Sequence, residues 1–227
     1  MPVSLEHESV LWDAGARVVV GIDEVGRGAL AGPVSVGVCA LERCDTWPEG
    51  LADSKLLSLK RRIAMNETLA NFGVARAVGH ATPREIDDLG INGALRLAGN
   101  RALAAVTASG IVVDAILLDG KHDWLTPPAD DLFAASADAG AEQSPPAPLP
   151  PVTMVIKGDN LCASIAAGSV IAKVERDGLM AVAHDEHPEY GWCGNKGYGA
   201  ESHLAAIRTL GATDYHRRSW KLPEREN

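Results

Sequence analysis

Two acidic residues stand side by side after an apolar run, Asp23-Glu24 following Val18-Val19-Val20-Gly21-Ile22. Two more aspartates close other apolar runs: Asp119 follows residues 111–118, and Asp159 lies just beyond residues 152–157. Carboxylates at the tips of buried strands are rigidly held oxygen donors, the ligand type that hard divalent cations such as Mg²⁺ or Mn²⁺ require. A pair of such ions about 3.5 to 4 Å apart needs several shared carboxylates, and these four could supply them. Each also has a local use. Asp119 opens an Asp-Gly turn, Asp159 is a good helix N-cap, and Asp23 and Glu24 could be solvated charges. Neighbours on a regular strand point to opposite faces, so Asp23 and Glu24 share one site only if the strand bends or ends there.

Gly26-Arg27-Gly28 follows at once. Glycines on both sides of Arg27 leave the backbone nearly bare, so a phosphate or sugar can approach main-chain N–H groups while the guanidinium offers a planar fork. That combination suits a polyanion bound beside metal ions. Further along, Lys55, the pair Lys173 and Arg176 three apart on one helix face, and Arg217-Arg218 are candidate phosphate contacts, with ordinary surface charge as the plain alternative. Tyr198, within Lys-Gly-Tyr-Gly, could stack on a sugar and hydrogen-bond through its hydroxyl. His184, His187, His203 and His216 lack zinc-site spacing.

The elements that must position these groups are readable in outline. Residues 17–22 and 34–40 form two strands joined by the carboxylate turn, with Gly32-Pro33 opening the second. A helix covers 58–71, with Asp53, Ser54 and Ser58 as candidate caps, and a third strand covers 73–80. Pro83 begins a short helix, and a longer one runs over 92–109, with Ala94, Leu97, Ala98, Arg101, Ala102 and Ala105 at helical spacing and expected to face the core. Strands follow at 111–118 and 152–157, then helices at 162–183 and 201–210. The small-residue run Ser164-Ile165-Ala166-Ala167-Gly168-Ser169 requires close helix packing. Between the last two strands, residues 121–151 read as a proline-rich loop insertion. Seven of the 13 prolines fall between Pro127 and Pro151, and no periodicity appears.

The 227 residues suffice for one well-buried domain. No apolar segment reaches the roughly 18 residues of a membrane span, and the acidic N-terminus is unlike a signal peptide, so a cytoplasmic protein with no membrane partner is expected. Cys39, Cys44, Cys162 and Cys193 form no C-x-x-C pair and are expected as free buried thiols. The net charge of -9 counts against a nucleic-acid binder. From Lys157 onward, however, nine Lys/Arg face ten Asp/Glu, so about -8 of that total lies in the first 156 residues. A metal cluster would in addition invert the local sign at its site.

The stretch G-I-D-E-V-G-R-G-A-L-A-G-P-V closely resembles the opening signature of bacterial type 2 ribonuclease H, the ribonuclease HII family. D-S-K-x-L-S, K-G-D with S-I-A-A-x-S and A-K-V-x-R-D, the Lys-Gly-Tyr-Gly segment, and H-R-R-S-W are similar to later blocks of that family, so the resemblance spans residues 18–220 apart from the insertion. Gly168 stands where the family commonly has alanine, which is expected to loosen the helix. The resemblance implies an α/β ribonuclease H-like mixed sheet flanked by helices, with a substrate-binding helical extension from about residue 185 to 227; a monomer is the default expectation. It implies an endonuclease acting on RNA/DNA hybrids and on single ribonucleotides embedded in duplex DNA, cutting 5′ of the ribonucleotide and leaving 3′-hydroxyl and 5′-phosphate ends. Two Mn²⁺ or Mg²⁺ ions are implied. Asp23 would bridge them, Glu24 and Asp119 would hold one side, and Asp159 the other. Gly26, Arg27, Gly28 and Tyr198 would read the ribose, and Lys55 would lie near the nucleic acid. A type 3 ribonuclease H and a non-catalytic α/β nucleotide-binding module are the competing readings.

Overall fold

A computed structural model describes residues 3–127 and 149–225. After helix α1 (Glu6–Asp13) come strands β1 (Val18–Val25) and β2 (Val34–Glu42), helix α2 (Leu59–Thr68) and strand β3 (Ala75–Ala81). Helix α3 (Pro83–Ala108) leads to strands β4 (Ala115–Asp119) and β5 (Val152–Val155). Helix α4 (Ala163–Glu186) is followed by α5 (Trp192–Asn195) and α6 (Glu201–Leu210). The five strands form one mixed sheet in the order β3-β2-β1-β4-β5. β1 runs antiparallel to β2 and parallel to β4, which is the connection that brings two carboxylate-bearing strand ends to one edge.

Alternation along the strands feeds two cores. Val20 and Ile22 face α3 together with Val36, Val38, Ile116 and Leu118, whereas Val19, Cys39, Leu117 and the buried stripe of α4 make the other side. The contact of α4 with the sheet is unusually close, and glycine permits it. A Cβ on Gly37 would overlap the carbonyl oxygen of Gly168, and one on Gly168 would come within 2.8 Å of the Gly37 carbonyl oxygen. Gly168 therefore does more than loosen α4: it lets the helix lie against β2.

Several boundaries differ from the sequence expectation, each for a local reason. The two helices expected over 83–109 form one run with a break at Gly90, whose φ of +67° is left-handed. A capping box starts it, with Thr82 and Glu85 bonding each other's main chain. β4 begins at Ala115, because the preceding Asp114 carboxylate instead accepts the N–H groups of Arg17 and Val18. The expected surface loop starts later than Lys121. Trp124 and Leu125 are buried in the α3-side core, and Asp123 caps them by accepting from the Leu125 and Thr126 N–H groups. The bulk of the insertion lies outside the described residues. Of the four free cysteines, Cys39 and Cys162 are buried as expected, but Cys193 is exposed and Cys44 only half-buried. No helix among the described residues is long and apolar enough to cross a membrane.

Candidate active site

β1 does not end before its two acids, because it stays paired with β2 as far as Val25 opposite Ser35. The strand does not end there, so by alternation Asp23 lies on the α4 face and Glu24 on the α3 face. In the parallel pair Ile22 sits opposite Leu118, so the next residues, Asp23 and Asp119, end at the same level on the same face. Asp159 arrives from the other direction, in a short 3-10 turn, Gly158–Asn160, just ahead of α4. Lys157, with a left-handed φ of 59°, turns the chain into it. The Gly158 N–H donates to Asp119 Oδ1 at 2.6 Å, which joins the two loops directly.

The four acids repel one another across the sheet edge and are electrostatically coupled. Burial, then Glu24, Asp119 and Asp159, push Asp23 well above its ordinary pKa, and the Ser169 hydroxyl offsets this in part. Burial and Asp119 raise Glu24 against the pull of Arg27; burial and Asp159 raise Asp119. Two cations answer the cluster. Lys55 Nζ stands 3.3 Å from Asp159 Oδ2 and 3.8 Å from Asp53 Oδ1. Burial draws Lys55 down, but Asp53, Asp23 and Asp159 outweigh it and hold it above its usual value. Arg27 bonds Glu24 Oε1 at 3.4 Å and Asn92 Oδ1 at 3.1 Å.

The donor set fits hard divalent cations. It is all oxygen, its negative charge exceeds what Lys55 and Arg27 offset, and the buried Glu24 Oε2 has no hydrogen-bond partner. The side chains are not drawn in around one point, however: among the described residues no three or more Asp, Glu, His or Cys side chains form a ready metal cage.

Beside the acids lies a cleft of about 420 Å³ lined by Glu24, Gly26, Arg27, Gly28, Ser54, Lys55, Lys173 and Tyr198. A hollow of about 310 Å³ between α2, β3 and α4 holds none of the four acids. Of the basic residues expected on phosphate, Lys55 and Lys173 reach the cleft, although Lys173 is also bonded to Asp177 at 2.7 Å. Arg218 is exposed away from it and pairs with Asp214. Arg176 and Arg217 depart most from expectation. Both are completely buried and donate to main-chain carbonyls, so neither guanidinium is presented to a phosphate.

Sequence reasoning missed Asn92 as a partner of Arg27, and missed the pair of buried hydroxyls, Ser169 and Ser54, 2.9 Å apart behind Asp23. The small-residue run around Ser169 was the available signal, and it reads equally well as packing. His203 and His216, weighed in the sequence only as zinc ligands, are buried with their Nε2 atoms 3.1 Å apart, a pairing the sequence did not signal.

A five-stranded mixed sheet with helices on both faces and acids gathered at the β1/β4 edge defines a ribonuclease H-like α/β protein with an acidic, cation-seeking site. Comparisons agree. A family model described as Ribonuclease HII matches residues 20–223. A Ribonuclease HII from Streptomyces avermitilis is 44% identical over 219 residues, covering 96% of this chain and 83% of that one. The ribonuclease H2 of Pyrococcus horikoshii superposes with a TM-score of 0.63 at 24% identity, over 90% of this chain and 94% of that one. Bst-RNase HIII, solved in complex with Mn²⁺, superposes with a TM-score of 0.59 at 23% identity, over 87% of this chain and 64% of that one. The chain belongs to the ribonuclease HII family, and it is accordingly a ribonuclease H, an endonuclease that hydrolyses the RNA strand of RNA/DNA hybrids.

Proposed function

We propose that this ribonuclease also cuts duplex DNA 5′ of a single embedded ribonucleotide, leaving 3′-hydroxyl and 5′-phosphate ends, and that it does so with two divalent ions. The observation that carries the reading is the meeting of Asp23, Asp119 and Asp159 at one sheet edge, beside a cleft that also contains Gly26–Gly28 and Tyr198. Bound there, Mg²⁺ or Mn²⁺ would activate the attacking water and stabilise the leaving 3′-oxygen. The manganese in the type 3 relative supports a divalent ion of this kind.

The chain's own groups divide the remaining work. Asp23, the most buried and most strongly raised of the acids, is the candidate bridge between ions. Glu24 and Asp119 would hold one side and Asp159 the other. Lys55 moderates the charge around Asp159 and stands where a phosphate would pass. The main chain of Gly26, Arg27 and Gly28 and the hydroxyl of Tyr198 offer polar groups to the 2′-hydroxyl, the one group that separates RNA from DNA. Lys173, at the cleft wall, is available to phosphate by exchanging its bond to Asp177.

The test is cleavage of a DNA duplex with one ribonucleotide, in Mg²⁺ or Mn²⁺, by wild type and Asp119→Asn. A single cut on the 5′ side, lost by about 10²-fold or more in the variant and abolished by chelation, is expected. An intact duplex alongside a cleaved RNA/DNA hybrid overturns the embedded-ribonucleotide reading.

A further inference from the structure

Arg176 and Arg217 are the two largest charged side chains in the interior, and their partners are peptide carbonyls. Arg217 donates from Nη2 to Gly26 O at 2.7 Å, from Nη1 to Arg27 O at 2.9 Å, and from Nε to Gly32 O at 3.1 Å, with Pro33 O also in reach. Arg176 donates to Pro33 O at 2.8 Å and Lys196 O at 3.0 Å. Burying a guanidinium without a carboxylate is costly; burial and the neighbouring Arg176 pull Arg217 down to about 9. Such an arrangement needs carbonyls turned inward to repay it.

Those carbonyls belong to the turn that faces the cleft. In a trans peptide the C=O and the N–H point in opposite directions. Holding Gly26 O and Arg27 O against Arg217 therefore turns the N–H groups of Arg27 and Gly28 outward, into the cleft. Gly26 has a φ of +87°, and the Arg176 guanidinium fills the place a Cβ would take. The same Arg176 lies 5.7 Å below the Tyr198 ring, and its bond to Lys196 O fixes the loop that carries Tyr198. The Leu30 and Ala31 N–H groups tie that loop to the turn by donating to Gly197 O. Two side chains thus lock both walls of the cleft in register.

We propose that Arg217, seconded by Arg176, is the positioning residue for ribose selectivity: it aims the Arg27 and Gly28 amides and keeps them in register with Tyr198. The inference rests on the reading that this cleft senses the 2′-hydroxyl. It touches no substrate itself and acts entirely through the turn.

The test uses the non-cleaving Asp119→Asn protein as parent and compares its affinity for a duplex with one ribonucleotide against the same duplex made wholly of DNA. Adding Arg217→Lys keeps a hydrogen-bond donor of similar length but removes the fork that spans several carbonyls. The expected result is a fall of about tenfold in the ribose preference, the scale of one or two misaimed hydrogen bonds. A merely structural arginine would lower thermal stability and the binding-competent fraction while leaving the preference of the folded molecules unchanged. A preference within about twofold of the parent's overturns the proposal. Should Arg217→Lys not fold, the parent answers by NMR. Its Arg27 and Gly28 amide resonances must respond differently to the two duplexes, and identical responses overturn the proposal. A parent with no ribose preference would instead refute the underlying reading of the cleft.

Discussion

His216 should make the folded protein lose stability as pH falls below about 6.5. The hydrogen bonds fix its neutral form. Thr213 N–H donates to Nδ1 at 3.0 Å, which leaves Nε2–H to donate to His203 Nε2 at 3.1 Å; His203 in turn gives its Nδ1–H to Tyr198 O at 2.8 Å. Burial and the adjacent His203 lower His216 from 6.5 to about 4, and burial lowers His203 as well. The unfolded chain therefore takes up protons below pH 6.5 that the folded protein refuses until about pH 4, so stability must fall across that window and level off beneath it. A difference of about 2.5 pH units corresponds to about 3 kcal/mol, or roughly 6 to 12 °C of Tm for a chain of this size. Urea unfolding of wild type and His216→Gln from pH 8 to 4 provides the assay. The variant starts less stable but lacks this share of the slope. Parallel loss in both proteins would refute the neutral-histidine argument, because the acids elsewhere titrate identically in the two.

Other consequences concern packing and capping. Gly37→Ala drives a methyl group into the Gly168 carbonyl and should cost about 1 to 3 kcal/mol, read as a lower urea midpoint at unchanged slope. Glu8, wholly buried, accepts from the Ser164 N–H at 2.8 Å and hydroxyl at 2.6 Å at the start of α4. Glu8→Ala strands both donors and should cost about 2 to 4 kcal/mol, while Glu8→Gln, which keeps an acceptor without a buried charge, should stay within about 1 kcal/mol of wild type. Equal losses for the two would show that the negative charge of Glu8, and not a neutral acceptor of the same volume, holds the Ser164 donors. Asp87 holds the Arg218 and Ser219 N–H groups at 2.8 Å each, so Asp87→Ala should speed amide exchange of residues 217–220 while leaving exchange in β1 unchanged.

Much of the frame was legible because hydrophobic period and punctuation carry it. The runs at 18–22 and 34–40 are buried strands, Pro83 does open a helix, and the Gly90 break falls where two helical patterns meet. The two ends of the proline-rich stretch were less legible. Trp124 and Leu125 are only two apolar residues in polar surroundings, yet they fill the space over Gly99, a contact that depends on α3 being there. Strand pairing across long separations leaves no mark on local composition, which is also why the regular course of β1 through Asp23 and Glu24 could not be read from glycines that follow it.

The same division runs through the site. A carboxylate closing an apolar run is easy to pick out in a sequence, even though each of these also has a local use as a turn, cap or surface charge. An arginine in H-R-R-S-W is not, because the sequence shows its charge and not the carbonyls that come to meet it. Adjacent residues 217 and 218 prove the point: Arg217 is fully buried against the 26–33 turn, whereas Arg218 is exposed and pairs with Asp214 four residues away. Which of the two turns inward is decided by the C-terminal segment, where Arg217 N–H donates to Leu30 O and Asp87 takes the next two amides. The phosphate-contact reading suits a guanidinium met in isolation. Once four carbonyls from residues 26, 27, 32 and 33 surround it, the hydrogen-bonding capacity that would have gone to substrate is already used, and what reaches the cleft is the orientation of the peptides it holds.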